Sequence, residues 1–325
     1  MKNNNHLSEK KNVKHVRIFV VSLVSILAFL LMTFLPKKNF LANLYIPFME
    51  ESPTLTVFVS ATPTPTLFPT PTSTITQAPT PSISPTPMPP EGKAFSVGSS
   101  IEGKSIDVFR FGSGSNVRMI IGGIHGGYEW NTSVLSYLLI EDIKSGRIKV
   151  PFDTTLYILP ILNPDGYFDY PDSSYGRGNA RSVDLNRNWD AIWEADWPRT
   201  GCFSYVYITA GEKPFSEPET QALSQFILDN QVKALISYHS AMSSIFAGGR
   251  PEPDTASENL AKALASVSGY NYPPLDGGAC CYTGQLIDWA SANGIAAVDI
   301  ELTDHDSNDI VINRKVLEAF LAWQE

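Results

Sequence analysis

A stretch rich in proline, threonine and serine at residues 52–92 divides this 325-residue chain into two unequal parts. Proline fixes φ and removes a backbone donor, so neither a helix nor a sheet can propagate through the repeated Thr-Pro pairs. We expect a solvated spacer that is partly in the polyproline II conformation. Residues 37–93 are therefore assigned to a disordered linker, which leaves residues 94–325 to form the folded domain.

An uncharged apolar run precedes the linker. Between Ile18 and Leu35 only three hydroxyl side chains interrupt the apolar residues. As a helix this run would be about 27 Å long, close to the thickness of the hydrocarbon core of a bilayer. We predict a transmembrane signal anchor at residues 18–36, preceded by a basic cytoplasmic tail at residues 1–17.

The basic residues around the apolar run predict its orientation. More of them precede the run than follow it, where only Lys37 and Lys38 lie close by. The positive-inside rule then keeps the N-terminus in the cytoplasm and exports the rest of the chain. We expect a single-pass protein of the cell membrane with an extracytoplasmic domain; a cleaved signal peptide is the alternative.

The charge of the domain argues against nucleic acid as a partner. The last 232 residues carry 16 basic and 29 acidic side chains, so we expect no binding to nucleic acid, which requires a basic surface.

The pairing of the three cysteines is left open by the sequence. An exported chain can form disulfides. Cys202 is a candidate partner for Cys280 or Cys281; three unpaired thiols are the alternative.

Apolar runs typical of strands alternate with helical segments after residue 94. The strand candidates are SIDVFRF, VRMIIGGI, TTLYILPIL, VKALISYH and AAVDIEL, and among the helices one is expected to have Asn131 as its N-cap and another a Ser cap in FSEPET. This alternation predicts an α/β fold with a mixed, largely parallel central sheet flanked by helices.

Metal-competent side chains lie at the ends of these predicted strands, where sites are built in open α/β sheets. His125, His239 and Glu301 each follow an apolar run, and Glu129 lies four residues after His125. Two histidines and a carboxylate are a ligand set for catalytic zinc, and Glu301 is the candidate to take a proton from an activated water. His305, in a polar loop, is expected to be a surface residue.

Six blocks occur in an order that resembles the M14 family of zinc metallocarboxypeptidases: GGIHGGYEWN, NPDGY, RGNARSVDLNRNW, FSEPET, SYHS and DIEL. They span most of residues 95–325. The resemblance implies one zinc ion per chain, held by His125, Glu129 and His239, and hydrolysis of C-terminal peptide bonds. The family spacing His-x-x-Glu is one residue longer here, and the two glycines after His125 could absorb the difference.

The resemblance also implies roles around the metal. Asp165 of NPDGY is similar to the acid that orients a zinc histidine, although the same residues form a good turn. Asn186 and Arg187 resemble the pair that binds the substrate's terminal carboxylate. Arg177 is similar to the arginine that stabilises the oxyanion, and Arg181 is the alternative.

Glu301 resembles the family's general base and acid, whereas the position of the family's mobile tyrosine departs from the pattern. The mobile tyrosine that closes over substrate would fall at Cys280 by ungapped counting, and Tyr282 is the nearest candidate. Ile287 lies where the side-chain pocket is partly specified. Its apolar character argues against a pocket for basic residues.

Several functions remain open at this stage. The substrate could be an ordinary peptide or a cell-wall stem peptide, since some bacterial relatives cut γ-D-glutamyl-diamino acid bonds. A related zinc amidohydrolase that removes acyl groups is a second candidate. A third is a non-catalytic binding module on a peptidase fold, but the retention of Glu301, Arg177, Asn186 and Arg187 argues against it.

Overall fold

A computed structural model describes residues 90–197, 207–275 and 282–324. Within these residues the chain forms strands and helices in alternation. The strands are β1 Ala94–Ser99, β2 Ser105–Gly112, β3 Asn116–Ile121, β4 Thr154–Leu159, β5 Ala234–Ser240, β6 Ser244–Ala247 and β7 Ala296–Leu302; the helices are α1 Trp130–Lys144, α2 Pro164–Asp169, α3 Pro218–Asp229, α4 Thr255–Ser268, α5 Leu286–Ala292 and α6 Ile310–Ala322.

The strands form one mixed sheet in the order β1-β2-β4-β3-β5-β7-β6. The four central strands β4, β3, β5 and β7 are parallel, while β1, β2 and β6 pair antiparallel at the edges. Parallel strands need crossover connections, and helices supply them. The predicted α/β class with a mixed, largely parallel sheet flanked by helices is confirmed.

Helices cover both faces of the sheet because the central strands are apolar on both sides. All residues of β4 and β5 are buried, as expected for parallel strands. On one face α1, α4 and α6 contribute Leu135, Leu260 and Phe320 to one core. On the other face α3 and α5 contribute Leu223 and Leu286 to a second core. Burying each such side chain stabilises the fold by about 1.5–3 kcal/mol before entropy is counted.

Both predicted helix caps are wrong. Helix α1 begins at Trp130 with Glu129 at the N-cap position, and the Asn131 amide instead donates to the carbonyls of Asp304 and Ser307. Helix α3 has Glu217 at its N-cap position, with no side-chain cap bond. In the first case the side-chain oxygen of Asn131, which capping would need as an acceptor, accepts instead from Ser240 Oγ at 3.0 Å.

Some predictions fall outside the described residues. These are the tail at 1–17, the anchor at 18–36, most of the linker at 37–93, and the pairing of Cys202, Cys280 and Cys281. Among the residues that the structure describes, no helix is both long and apolar enough to cross a membrane.

Candidate active site

The register of two parallel strands brings the first site residues together. On β5 and β7, His239 is paired with Glu301 near the carboxyl ends of both strands. The neighbouring strand β3 ends at Ile121, and the loop that follows it carries His125 and Glu129. The side chains therefore meet at the edge of the sheet where open α/β folds place their ligands. They line a cavity of about 290 Å³.

The side chains of His125, Glu129 and His239 form a buried group that can hold one metal ion. Their ligand atoms all lie within 4.8 Å of one another, and each residue is 2% exposed. The Nδ1 atoms of the two histidines are 3.2 Å apart. Glu129 places one carboxylate oxygen 2.8 Å from Nδ1 of His125 and the other 3.2 Å from Nδ1 of His239.

This donor set fits zinc. Two imidazole nitrogens that both act as acceptors cannot hydrogen-bond each other. A cation bound between the two nitrogens and the carboxylate satisfies all three groups. Two histidines and one glutamate leave a fourth position open, as catalytic zinc sites do. The predicted ligand group is therefore present in the fold.

Glycines accommodate the longer spacing between His125 and Glu129. Gly126 has φ of +47°, which glycine adopts without the steric cost of a side chain. A Cβ on Gly127 would lie 2.1 Å from the carbonyl oxygen of Tyr170, so the loop can pass there only without a side chain. The additional residue is thus absorbed before Glu129, whose carboxylate still reaches both histidines.

The acid beside His125 is Asp184, and the prediction for Asp165 is wrong. Asp184 Oδ1 lies 3.1 Å from His125 Nε2, so it fixes the ring from the side opposite to the metal group. Asp165 lies in α2, which is capped by Asn163. That short helix directs its carboxylate to the turn between β1 and β2, where Ser100 Oγ donates to it at 2.7 Å.

Asp184 also positions the predicted oxyanion arginine. Arg177 Nε donates to Asp184 Oδ2 at 2.9 Å, and Arg177 Nη1 lies 3.4 Å from Glu129 Oε1. Burial opposes the ionisation of Asp184, but the charges of Arg177 and His125 outweigh it and hold the pKa of Asp184 well below its usual range. Arg181, the alternative, has a 59% exposed side chain and contacts Glu217 at 3.8 Å. Of the two arginines, the fold places Arg177 at the site.

The predicted carboxylate anchor also lies in the cavity wall. Asn186 Oδ1 accepts from the backbone nitrogen of Leu286 at 2.9 Å, while its amide nitrogen is 3.4 Å from His239 Nε2. The Arg187 guanidinium lies over the Tyr282 ring, 4.1 Å from its centroid. Nε of Arg187 is buried and has no hydrogen-bond partner among the described residues. A donor in this state is suited to a ligand acceptor.

Glu301 lines the same cavity as the metal group. Its Oε2 atom is buried and unsatisfied within the described part of the chain. Removal from water, reinforced by the charge of Glu129, raises the pKa of Glu301 to about 8, although His239 and Arg177 act in the opposite direction. A carboxylate with a pKa near neutrality can both accept and return a proton.

Two residues at this cavity were not predicted from the sequence. His305 was expected at the surface, but its Nδ1 lies 3.1 Å from Ser240 Oγ, and its ring centroid is 4.8 Å from that of Tyr128. Asp299 is 5% exposed, and its Oδ1 lies 3.3 Å from His239 Nε2. Asp299 could have been found, since it precedes Glu301 by two positions and alternate residues of a strand share a face.

Sequence comparisons agree with this geometry. The family model described as zinc carboxypeptidase matches residues 89–321. Carboxypeptidase B of Astacus astacus is 28% identical over 250 residues, which cover 67% of this chain and 82% of that protein. Human carboxypeptidase A6 is 28% identical over 242 residues, covering 65% of this chain and 55% of that protein. The chain thus spans only about half the length of some curated relatives.

Solved structures show the same fold. Bovine thrombin-activatable fibrinolysis inhibitor has a TM-score of 0.56 at 24% identity, covering 71% of this chain and 87% of that one. Murein-tripeptide amidase from Escherichia coli O157 has a TM-score of 0.54 at 24% identity, covering 73% and 94%. The family match confirms the predictions of an M14 resemblance and of a zinc-dependent hydrolase. The chain therefore belongs to the M14 family of zinc carboxypeptidases.

Proposed function

We propose that this chain removes single residues from the C-termini of peptides by zinc-dependent hydrolysis. One observation carries the proposal: a single cavity is lined by the buried His125–Glu129–His239 group and by two atoms without a hydrogen-bond partner among the described residues, Glu301 Oε2 and Arg187 Nε. A binding protein would have no use for an unpaired acid beside a metal group. A hydrolase requires one.

The residues divide the reaction between them. Zinc held by the two histidines and Glu129 would supply Lewis-acid chemistry, polarising a carbonyl and acidifying a water. Glu301 accepts the proton of the attacking water and returns it to the leaving amine. Arg187 and Asn186 bind the terminal carboxylate of the substrate, which confines cleavage to the last peptide bond. Arg177 lies beside Glu129 and stabilises negative charge on the carbonyl oxygen.

We also propose where the protein is located and which class of substrate it cleaves. The segment at residues 18–36 anchors the protein in the cell membrane, and the linker at 37–93 holds the domain outside. There it acts on extracytoplasmic peptides or on cell-wall stem peptides. The predicted orientation of the apolar run supports the location. The fold shared with a murein-tripeptide amidase makes stem peptides a substrate worth testing.

The test uses the purified full-length protein, with zinc or with a chelator. It is incubated with a mixed peptide library and with a stem-peptide preparation, and the products are identified by mass spectrometry. We expect loss of single C-terminal residues that the chelator abolishes and zinc restores. Release of acyl groups instead would identify an amidohydrolase, and the absence of products in every sample would refute hydrolysis.

Glu301→Gln tests the assignment of the proton-transfer group. The variant should retain zinc and lose about a hundredfold or more of kcat, since general acid–base catalysis contributes a factor of this size. The exposed Glu318 of α6 offers a matched control; Glu318→Gln should turn over at the rate of the unmodified protein. Full activity of Glu301→Gln at unchanged zinc content would contradict the role.

A further inference from the structure

A second carboxylate, that of Asp299, lies on the same sheet face as Glu301. Side chains alternate along a strand, so Asp299 and Glu301 of β7 share a face. The register places Ser237 of β5 and Phe246 of β6 beside Asp299. Asp299 therefore lies one step deeper along the strand than Glu301, and it lines the same cavity as Arg187.

The carboxylate of Asp299 is buried with little to stabilise it. The residue is 5% exposed, and its Oδ1 atom has no hydrogen-bond partner in the described part of the chain. Its one ion-pair contact there is with His239 Nε2 at 3.3 Å. That nitrogen has a nearer partner, the Ser237 hydroxyl at 3.0 Å. Removing a carboxylate from water is costly unless charged and hydrogen-bonding groups compensate for it, and Oδ1 of Asp299 keeps acceptor capacity that no described residue fills.

We propose that Asp299 binds a cationic group on the residue that the enzyme releases. This inference rests on the proposed carboxypeptidase function and specifies its substrate class. With the terminal carboxylate at Arg187, an ammonium or guanidinium group at the end of the side chain would reach the carboxylate of Asp299. The released residue is then lysine, arginine or a diamino acid with a free ω-amine. The apolar Ile287 lines an adjoining cavity of about 560 Å³ that shares Phe246 and Gln285 with this one, and the preference assigned to Asp299 runs against the expectation from Ile287.

The first test compares three peptides that differ only in the last residue: lysine, norleucine or glutamate. For the zinc-loaded full-length protein, we expect kcat/KM for lysine to exceed that for norleucine by about tenfold or more, because a hydrogen-bonded charge pair contributes that much. A fourth peptide, which ends in a diamino acid other than lysine with a free ω-amine, tests whether the amine of such a residue is accepted as the amine of lysine is. A ratio of one or less would overturn the proposal.

Asp299→Asn separates substrate binding from positioning of His239. The amide keeps the shape and an acceptor for His239, so zinc content should not change. The ratio of kcat/KM for lysine to kcat/KM for norleucine should fall by about tenfold, because the variant loses the charge that distinguishes the two side chains. An equal loss on both peptides would show that Asp299 only positions His239. Glu252→Gln, an exposed acid at the neighbouring cavity, should preserve the preference.

Binding of free amino acids makes failure of this inference distinguishable from failure of the proposed function. If the unmodified protein cleaves no peptide, carboxypeptidase activity is refuted. Thermal stabilisation of the zinc-loaded protein by lysine and by norleucine then tests the cation site alone. Stronger stabilisation by lysine, lost in Asp299→Asn, would support it. Equal stabilisation by both would overturn it.

Discussion

The substitution Glu219→Gln should stabilise the protein relative to the unmodified chain, and this gain in the free energy of unfolding should be larger at pH 8 than at pH 5. Glu219 lies in the first turn of α3 and is fully buried. Its carboxylate accepts from the backbone nitrogen of Ile101 at 3.2 Å and from the Asn179 amide at 3.3 Å. Burial outweighs these bonds, and the charge of Glu217 adds to it, so the pKa of Glu219 is raised to about 7.

The sign of the effect follows from proton binding. The ordinary pKa of 4.5 applies to the unfolded chain. Below that pH both states bind the proton and Glu219 costs nothing. Between the two pKa values the folded state holds a proton that the unfolded state has lost, so stability falls as pH rises. The full cost is about 3 kcal/mol, of which about 2.5 kcal/mol develops between pH 5 and pH 8.

Urea unfolding at several pH values measures this difference. The six tryptophans of the chain all lie between residues 130 and 323, so their fluorescence reports the folded domain. Glutamine cannot titrate, and the free-energy difference between variant and unmodified protein should rise by roughly 2–3 kcal/mol from pH 5 to pH 8. Titrating groups that do not interact with Glu219 contribute equally to both proteins and cancel. The exposed Glu212 supplies the control, Glu212→Gln. A difference that does not change with pH would refute the reasoning.

Two further substitutions test the packing that surrounds the site. Gly98→Ala should destabilise the protein by about 1–3 kcal/mol, because the new methyl group would lie 2.5 Å from the Cβ of Ala222 on α3; an unchanged urea midpoint would contradict this contact. Asp254→Ala should cost about 1–2 kcal/mol, because Asp254 caps α4 by accepting from the backbone nitrogens of Ala256 and Ser257. Asp254→Asn, which keeps an acceptor, should restore most of the lost stability.

The parts of the site that lie on strands could be predicted from the sequence. His239 and Glu301 each end an apolar run of the kind that forms a buried parallel strand, and the sheet edge brings such ends together. His125 could be predicted for the same reason. The edge strands β1 and β6 were not predicted, because they are short and only partly buried and so lack a strong hydrophobic pattern.

The parts that depend on the direction of a loop could not be predicted. Asp165, in the short helix α2, and Asp184, in a loop, each belong to a family-like motif, and either could reach a histidine. The Asn163 side chain caps α2 by accepting from the backbone nitrogen of Gly166. This local bond sets the direction of Asp165, whose Oδ1 lies 3.2 Å from Lys104 Nζ. Asn131 shows the same effect, because its side-chain oxygen accepts from Ser240 Oγ, 109 residues away, and is not available to cap a helix.

Asp184 connects, through one carboxylate, the residues proposed for three functions of the site. Its oxygens contact His125 of the metal group and Arg177, the proposed oxyanion residue, and they accept from the backbone nitrogen of Asn186, which belongs to the proposed carboxylate anchor. With no exposed surface, it is held in place by these contacts and in turn fixes their relative positions. The sheet register sets the distance between His239 and Glu301. Asp184 does the equivalent work for the loops, where no strand register is available.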